Sequence, residues 1–242
     1  MDAVIDPTIL SSFLNELRIA LPKDISIFLS VNPLSSFSGR YDIDVIRNVT
    51  DLVILHTHRL HSFLPTSTEH HSPMFPGKGL PDSRMTVESF VKDWISRGMS
   101  REKLIVSITS IPTATSLSSG WDGSDEVFGR PTHSRSLPIR TQISSQTEIC
   151  RALEDNNTVF RWMDDSSVPT LIRGTEFVAF DNERSAKIKT TWSSSNNLGG
   201  IAIHGLPFDN PNGECPERPY PILQSIVDTQ VRKIGLKEEA RK

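Results

Sequence analysis

The stretch FVAFDNERSAKIKTTWSSSNNLGGIAIHGLPFDN, residues 177–210, reads as strand, capped helix, Gly-Gly turn and strand. Phe177 to Phe180 is short, apolar and aromatic, as a buried strand requires. Asp181 is placed to cap the helix that follows, and Ile188 and Trp192 lie four apart on one helical face. Leu198-Gly199-Gly200 is expected to stop the helix and admit a tight entry into the buried strand Ile201-Ala202-Ile203. That strand ends on His204, at the end where parallel β/α units present their working side chains.

The same rhythm extends upstream. Asp6-Pro7 opens a helix with an N-cap and a first-turn proline, and Ile9, Phe13, Leu17, Ala20 and Leu21 supply its apolar face. Ile25–Val31 and Leu52–Thr57 have the length and continuity of strands buried on both sides, with a short helix over Tyr41–Asn48 between them. Val87, Phe90, Val91, Trp94 and Ile95 follow helical spacing, Gly98 suits the position just past the helix end, and Leu104–Ile108 is a third strand. Such alternation predicts parallel β/α units. From Pro112 to Glu148 the rhythm breaks into Ser, Gly, Pro and Thr, and residues 149–180 then read as a small antiparallel sheet. A last helix covers Pro221–Lys233, with Ile222, Ile226 and Val227 as its apolar face.

Composition narrows the classes without choosing one. The chain has 242 residues, 36% of them hydrophobic, and a net charge of −3. That is enough for a globular core and leaves no basic surface to attract nucleic acid. No apolar run approaches the roughly 18 to 20 residues of a membrane span. MDAVIDPTIL lacks the basic and apolar regions of a secretory signal, so the chain as written would stay in the cytosol. Two cysteines, Cys150 and Cys215, fit either buried thiols or a disulfide.

A set of segments, in this order and at these separations, resembles the C-terminal half of glycosyl hydrolase family 18, the chitinases and chitinase-like lectins. They are Asp51-Leu52-Val53-Ile54-Leu55-His56-Thr57-His58-Arg59, His71-Ser72-Pro73-Met74-Phe75, Val91-Lys92-Asp93-Trp94-Ile95-Ser96-Arg97-Gly98, Glu102-Lys103-Leu104-Ile105-Val106, Val168-Pro169, Phe177-Val178-Ala179-Phe180-Asp181 and Gly199-Gly200-Ile201. The resemblance implies an α/β fold, a partial TIM (β/α)8 barrel holding strands equivalent to the fifth through eighth, with a small inserted α+β domain. The half-barrel units would occupy residues 1–111, the insertion 112–180, and the last units 181–242. The resemblance also implies a Cys150–Cys215 disulfide and an extracellular setting. A half-barrel has two open edges, which invite self-association.

In the family, hydrolysis of β-1,4-linked N-acetylglucosamine needs a carboxylic acid from a D-x-x-D-x-D-x-E run, while the substrate's acetamide attacks the anomeric carbon. The 242 residues contain no such run. The family helix that follows it corresponds to the one opening at Asp6, so the general acid would lie before Met1. Other sugar-groove positions also depart from the active pattern. Met-x-Tyr-Asp is replaced by His56, Thr57, His58 and Arg59, Tyr-Gly-Arg by Ile111-Pro112-Thr113, and the tryptophan floor by His204.

Five of seven histidines fall between residues 56 and 71, and His56, His58 and His204 could converge on one pocket. A His-x-His pair on a barrel strand also begins the zinc site of some metal-dependent hydrolases, but no carboxylate is placed to complete one, so hydrogen-bonded filling is the better reading and no metal or cofactor is expected. Asp164-Asp165 reads as a solvated turn, Trp94 and Trp192 as core, and Trp121 as loop packing. The leading expectation is an inactive chitinase-like protein that binds chitin or a related oligosaccharide weakly, with His56, His58, Arg59 and His204 in the sugar groove. Second is a chitin hydrolase whose catalytic strand is missing from this chain. Third is a metal-dependent hydrolase built on His56 and His58.

Overall fold

A computed structural model of the chain describes residues 6–32, 39–61, 66–80, 82–133, 143–214 and 218–239. Its first sheet is parallel, in the order β1 (Phe28–Val31), β2 (Leu52–Leu55), β3 (Leu104–Thr109) and β8 (Gly200–His204). Helices α1 (Pro7–Ala20), α2 (Ile43–Val49), α3 (Val87–Ser96), α5 (Glu183–Ser195) and α6 (Pro221–Glu239) connect and cover these strands. The second sheet is antiparallel. Its strands β4 (Thr113–Ser116), β5 (Thr158–Met163), β6 (Val168–Arg173) and β7 (Glu176–Ala179) run in the order β4-β7-β6-β5, with α4 (Gln146–Leu153) beside them. A parallel layer with helical connections, interrupted by a small α+β sheet, is the predicted architecture.

Caps written into the sequence fix where most helices begin. Asp6, Asp42, Thr86 and Ser145 each accept a backbone N–H of the first turn through a side-chain oxygen. The cap of α5 falls one residue later than expected. Asn182, not Asp181, closes a reciprocal capping box with Ser185, because the Asp181 carboxylate is directed inward to a buried partner. At the other end, Asn197 takes the left-handed turn at φ 56°, so an asparagine rather than a glycine ends the helix.

The larger core lies between β1–β3 and the helices α1 to α3. Val87, Phe90, Val91 and Trp94 are fully buried there, as their spacing requires, and Trp192 packs at its margin. The face of α1 differs from the expected one: Leu10, Leu14, Leu17 and Leu21 pack inward, while Ile9 and Phe13 are 68% and 57% exposed. Val227 of α6 is likewise exposed, and only Ile222 and Ile226 of its trio are buried.

Burial on both sides holds for every residue of β3 but not for its neighbours. In β2 alternate residues are half-buried, Phe28 of β1 is exposed, and Ile201 to Ile203 of β8 are half-buried. Among the described strands β1 pairs only with β2, and β8 only with β3. Among the described residues, one face of this sheet has no opposing strands of the kind that a closed barrel places against it.

Gly199 is needed for close approach. A Cβ there would stand 2.3 Å from the carbonyl oxygen of Glu102, where Gly199 N–H bonds Leu104 O at 2.9 Å and brings the chain into register for β8. Gly199→Ala should therefore destabilise the chain by about 1–3 kcal/mol, seen as a lower urea midpoint with an unchanged slope.

Candidate functional site

A cavity of about 190 Å³ opens at the C-terminal ends of β2, β3 and β8, lined by His56, His58, Arg59, His61, His71, Thr109, Ile111, Thr113 and His204. The fold brings the four expected groove residues together here. β2 ends at Leu55, one residue before the histidine pair, but the chain stays fixed beyond it. His56 N–H donates to Val31 O at 3.1 Å, and Thr57 exchanges hydrogen bonds with the Ser107 backbone at 2.7 and 2.9 Å. His204, the last residue of β8, lies opposite Thr109 of β3.

Hydrogen bonding assigns several proton positions. Ser107 Oγ donates to Leu55 O at 2.7 Å, so it accepts from His58 Nδ1–H at 2.6 Å and leaves Nε2 as the nitrogen that titrates. His70 donates from Nε2 to Phe180 O and accepts Ser72 N–H at Nδ1, which defines a neutral ring. His61 lies 3.0 Å from Glu69 Oε2 and 3.1 Å from Met85 O.

The remaining rings are close but do not converge as ligands. His58 and His204 stack with centroids 4.5 Å apart and planes 13° apart, and His56 lies 5.1 Å from His58. Parallel stacked rings direct their nitrogens outward in parallel rather than toward one ion. Among the described residues no group of three His, Cys, Asp or Glu side chains is arranged to hold a metal.

Burial, reinforced by neighbouring cationic groups, lowers the proton affinity of four imidazoles. It lowers His56, with His204 and Arg59 adding to the effect, and brings His58 down to about 3 with His204, His56, His71 and Arg59 adding. Burial also lowers His71, and it puts His70 well below the usual histidine range.

Behind the cavity lies a feature that sequence reading missed. Asp181 and Lys189 are both fully buried and form an ion pair at 2.6 Å, with Ser185 Oγ donating to the same carboxylate oxygen at 2.7 Å and Lys189 Nζ to Ser72 Oγ at 2.7 Å. Burial alone would raise Asp181, but Lys189 and then His71 and His70 override it and hold the carboxyl well below its ordinary range. Its other oxygen, Oδ2, lies 3.8 Å from His71 Nε2, and neither this oxygen nor either nitrogen of His71 has a hydrogen-bond partner. Ser185 and Lys189 lie four apart on one stripe of α5 and Asp181 stands just before its cap, and this four-residue spacing was the available signal. His61 and His71 were visible in the histidine cluster but were not placed in the pocket.

Other expectations can be located. Asp164 is exposed, and Trp121 packs against the second sheet's core with Arg130 5.4 Å from its ring. Cys150 lies on α4, whereas Cys215 is outside the described residues. No helix among the described residues is long and apolar enough to cross a membrane.

The sequence that folds into this parallel sheet, with its cavity at the C-terminal strand ends, matches the family model Glycosyl hydrolases family 18 over residues 4–209. The chain belongs to that family. It is 32% identical over 233 residues to the Chitinase-like protein C25A8.4 of Caenorhabditis elegans, covering 95% of this chain and 22% of that protein. It is 26% identical to the Endochitinase of Brugia malayi, covering 79% of this chain and 38% of that one. The chain thus spans well under half the length of these relatives. Among solved structures, the Ostrinia furnacalis Group IV chitinase in complex with allosamidin superposes with a TM-score of 0.84 at 22% identity, covering 96% of this chain and 64% of that one. Human YKL-39, described as a pseudo-chitinase with retained chitooligosaccharide binding properties, gives 0.81 at 23%, covering 93% and 65%. These likenesses establish the TIM-barrel fold of the family, here a partial one.

Two outcomes test the site's electrostatics. The four neutral imidazoles have folded pKa values below the unfolded value of about 6.5, so the stability they contribute is present above that pH and is lost as pH falls below it. Asp209, raised to about 6 mainly by burial, acts in the opposite sense between about pH 6 and 4 but is a single group. Urea midpoints should therefore fall from pH 7 to pH 5, with a shallower fall in His58→Gln. In the buried pair, Asp181→Asn or Lys189→Met alone should cost about 3–5 kcal/mol, and the double variant Asp181→Leu/Lys189→Met much less. Thermal unfolding at pH 7 would show additive losses if the two charges were not coupled.

Proposed function

We propose that this chain is a chitinase-like protein that does not hydrolyse chitin and binds N-acetylglucosamine oligosaccharides weakly at the imidazole-lined cavity. The observation that carries the reading is the lining itself: among the described residues no carboxylate faces the cavity. A family 18 mechanism needs a carboxylic acid beside the leaving oxygen. Asp181, the nearest, is buried behind His71 and held ionised by Lys189, so it has no proton to give. The D-x-x-D-x-D-x-E run is absent from the 242 residues, and His58, Arg59 and His204 stand at positions where the family has tyrosine, aspartate and tryptophan.

A second reading, a chitin hydrolase, draws on the short span of the relatives that this chain covers. A longer protein with the catalytic run upstream would supply the acid, and neither reading needs a metal or cofactor. The same reasoning extends to the division at 1–111, 112–180 and 181–242, an extracellular setting, and self-association through the open margins of β1 and β8. It also extends to the Cys150–Cys215 disulfide. Arg151, next to Cys150, pairs with Glu214, next to Cys215, and Thr147 donates to Asn210 at 2.9 Å. Non-reducing peptide mapping should show residues 150 and 215 in one linked peptide pair.

Calorimetry with chitohexaose, alongside a reducing-end assay, tests the main reading. Binding without hydrolysis is expected. His204→Trp should strengthen binding by on the order of 1–3 kcal/mol, by restoring an apolar face for a pyranose ring. Release of reducing ends above the buffer rate would establish the hydrolase instead.

A further inference from the structure

We propose that this cavity receives the acidic substituent, carboxylate or sulfate, of an acidic glycan containing N-acetylglucosamine. The inference rests on the reading of the cavity as a saccharide site and names the class of sugar it selects. Its lining offers five imidazoles and the Arg59 guanidinium and, among the described residues, no carboxylate. Arg59 and, on taking up a proton, the imidazoles supply the donors and positive charge that an anion needs.

His71 makes the site a built one. It is 6% exposed, lines the cavity, and has no hydrogen-bond partner at either ring nitrogen. A buried imidazole left without partners is costly unless something supplies them. The cavity's size agrees, because 190 Å³ is below the ~300 Å³ at which small-molecule pockets begin and suits one substituent rather than a chain.

Charge coupling gives the site a pH signature. The groups facing it are His56, His58, Arg59, His61, His71 and His204, with Asp181, Lys189, His70 and Glu69 behind them. With His56, His58 and His71 neutral in the unliganded protein, a bound anion raises their proton affinity, so binding takes up protons and tightens as pH falls. His58 Nε2 is the nitrogen free to take such a proton and become a donor.

The test is calorimetry at constant ionic strength, at pH 5.0 and 7.5, with hyaluronan hexasaccharide, 6-O-sulfated chitohexaose, neutral chitohexaose and inorganic sulfate. Both acidic sugars, or whichever of the two fits the substituent, should bind about tenfold more tightly than the neutral one at pH 5.0, with a smaller margin at pH 7.5. Arg59→Gln/His204→Gln, at two exposed positions, should remove most of that margin, read as the ratio of acidic to neutral affinity within the same variant. Equal affinity for acidic and neutral sugars, or a preference that survives the double variant, overturns the proposal. So does inorganic sulfate binding as well as the sulfated sugar, which would make this a simple anion site. Neutral sugar binding without acidic sugar binding overturns it and leaves the chitin-binding reading in place. If no saccharide binds, both readings fall.

Discussion

The Asp181–Lys189 pair is the interaction on which the site depends. Asp181 follows the last strand of the antiparallel sheet, Lys189 lies on the helix of the next β/α unit, and Ser72 reaches the ammonium from the segment after the second strand. Two full charges in the interior are tolerated because each partner is also hydrogen-bonded, and because the geometry is close. The pair locks the insertion to the parallel layer. His71 lies on its cavity side, with Nε2 3.8 Å from Asp181 Oδ2. The ionised carboxylate is therefore a supporting element of the pocket wall and is withdrawn from any chemistry inside it.

Much of this architecture was legible in the residues. The cap at Asp6, the apolar stripe from Val87 to Trp94, and the continuous run of Leu104 to Ile108 each follow from local chemistry that the fold does not contradict. The errors have a shared origin. Ile9, Phe13 and Val227 are apolar and were placed on buried faces, but which side of a helix is covered is decided by what the chain supplies to cover it. Asp181 was read as a cap because an aspartate before a helix usually is one. Its role as the partner of a lysine eight residues later required knowing that both would be buried.

The site was readable in part for a similar reason. Side chains at strand ends are placed by topology, so His56, His58 and His204 could be brought together from their positions alone. His61 and His71 arrive on loop segments, whose course follows from hydrogen bonds such as His61 to Glu69 and Leu60 N–H to His71 O rather than from periodicity.

The open inner face of the parallel sheet bears on these side chains as well. His58 owes its low proton affinity first to burial. Strands laid across from β1 and β8 would remove more water from the ring and lower its affinity for protons further. The ¹⁵N shift of the His58 imidazole is in this sense a gauge of barrel closure, since it reads from a single nitrogen whether the other side of the barrel is present.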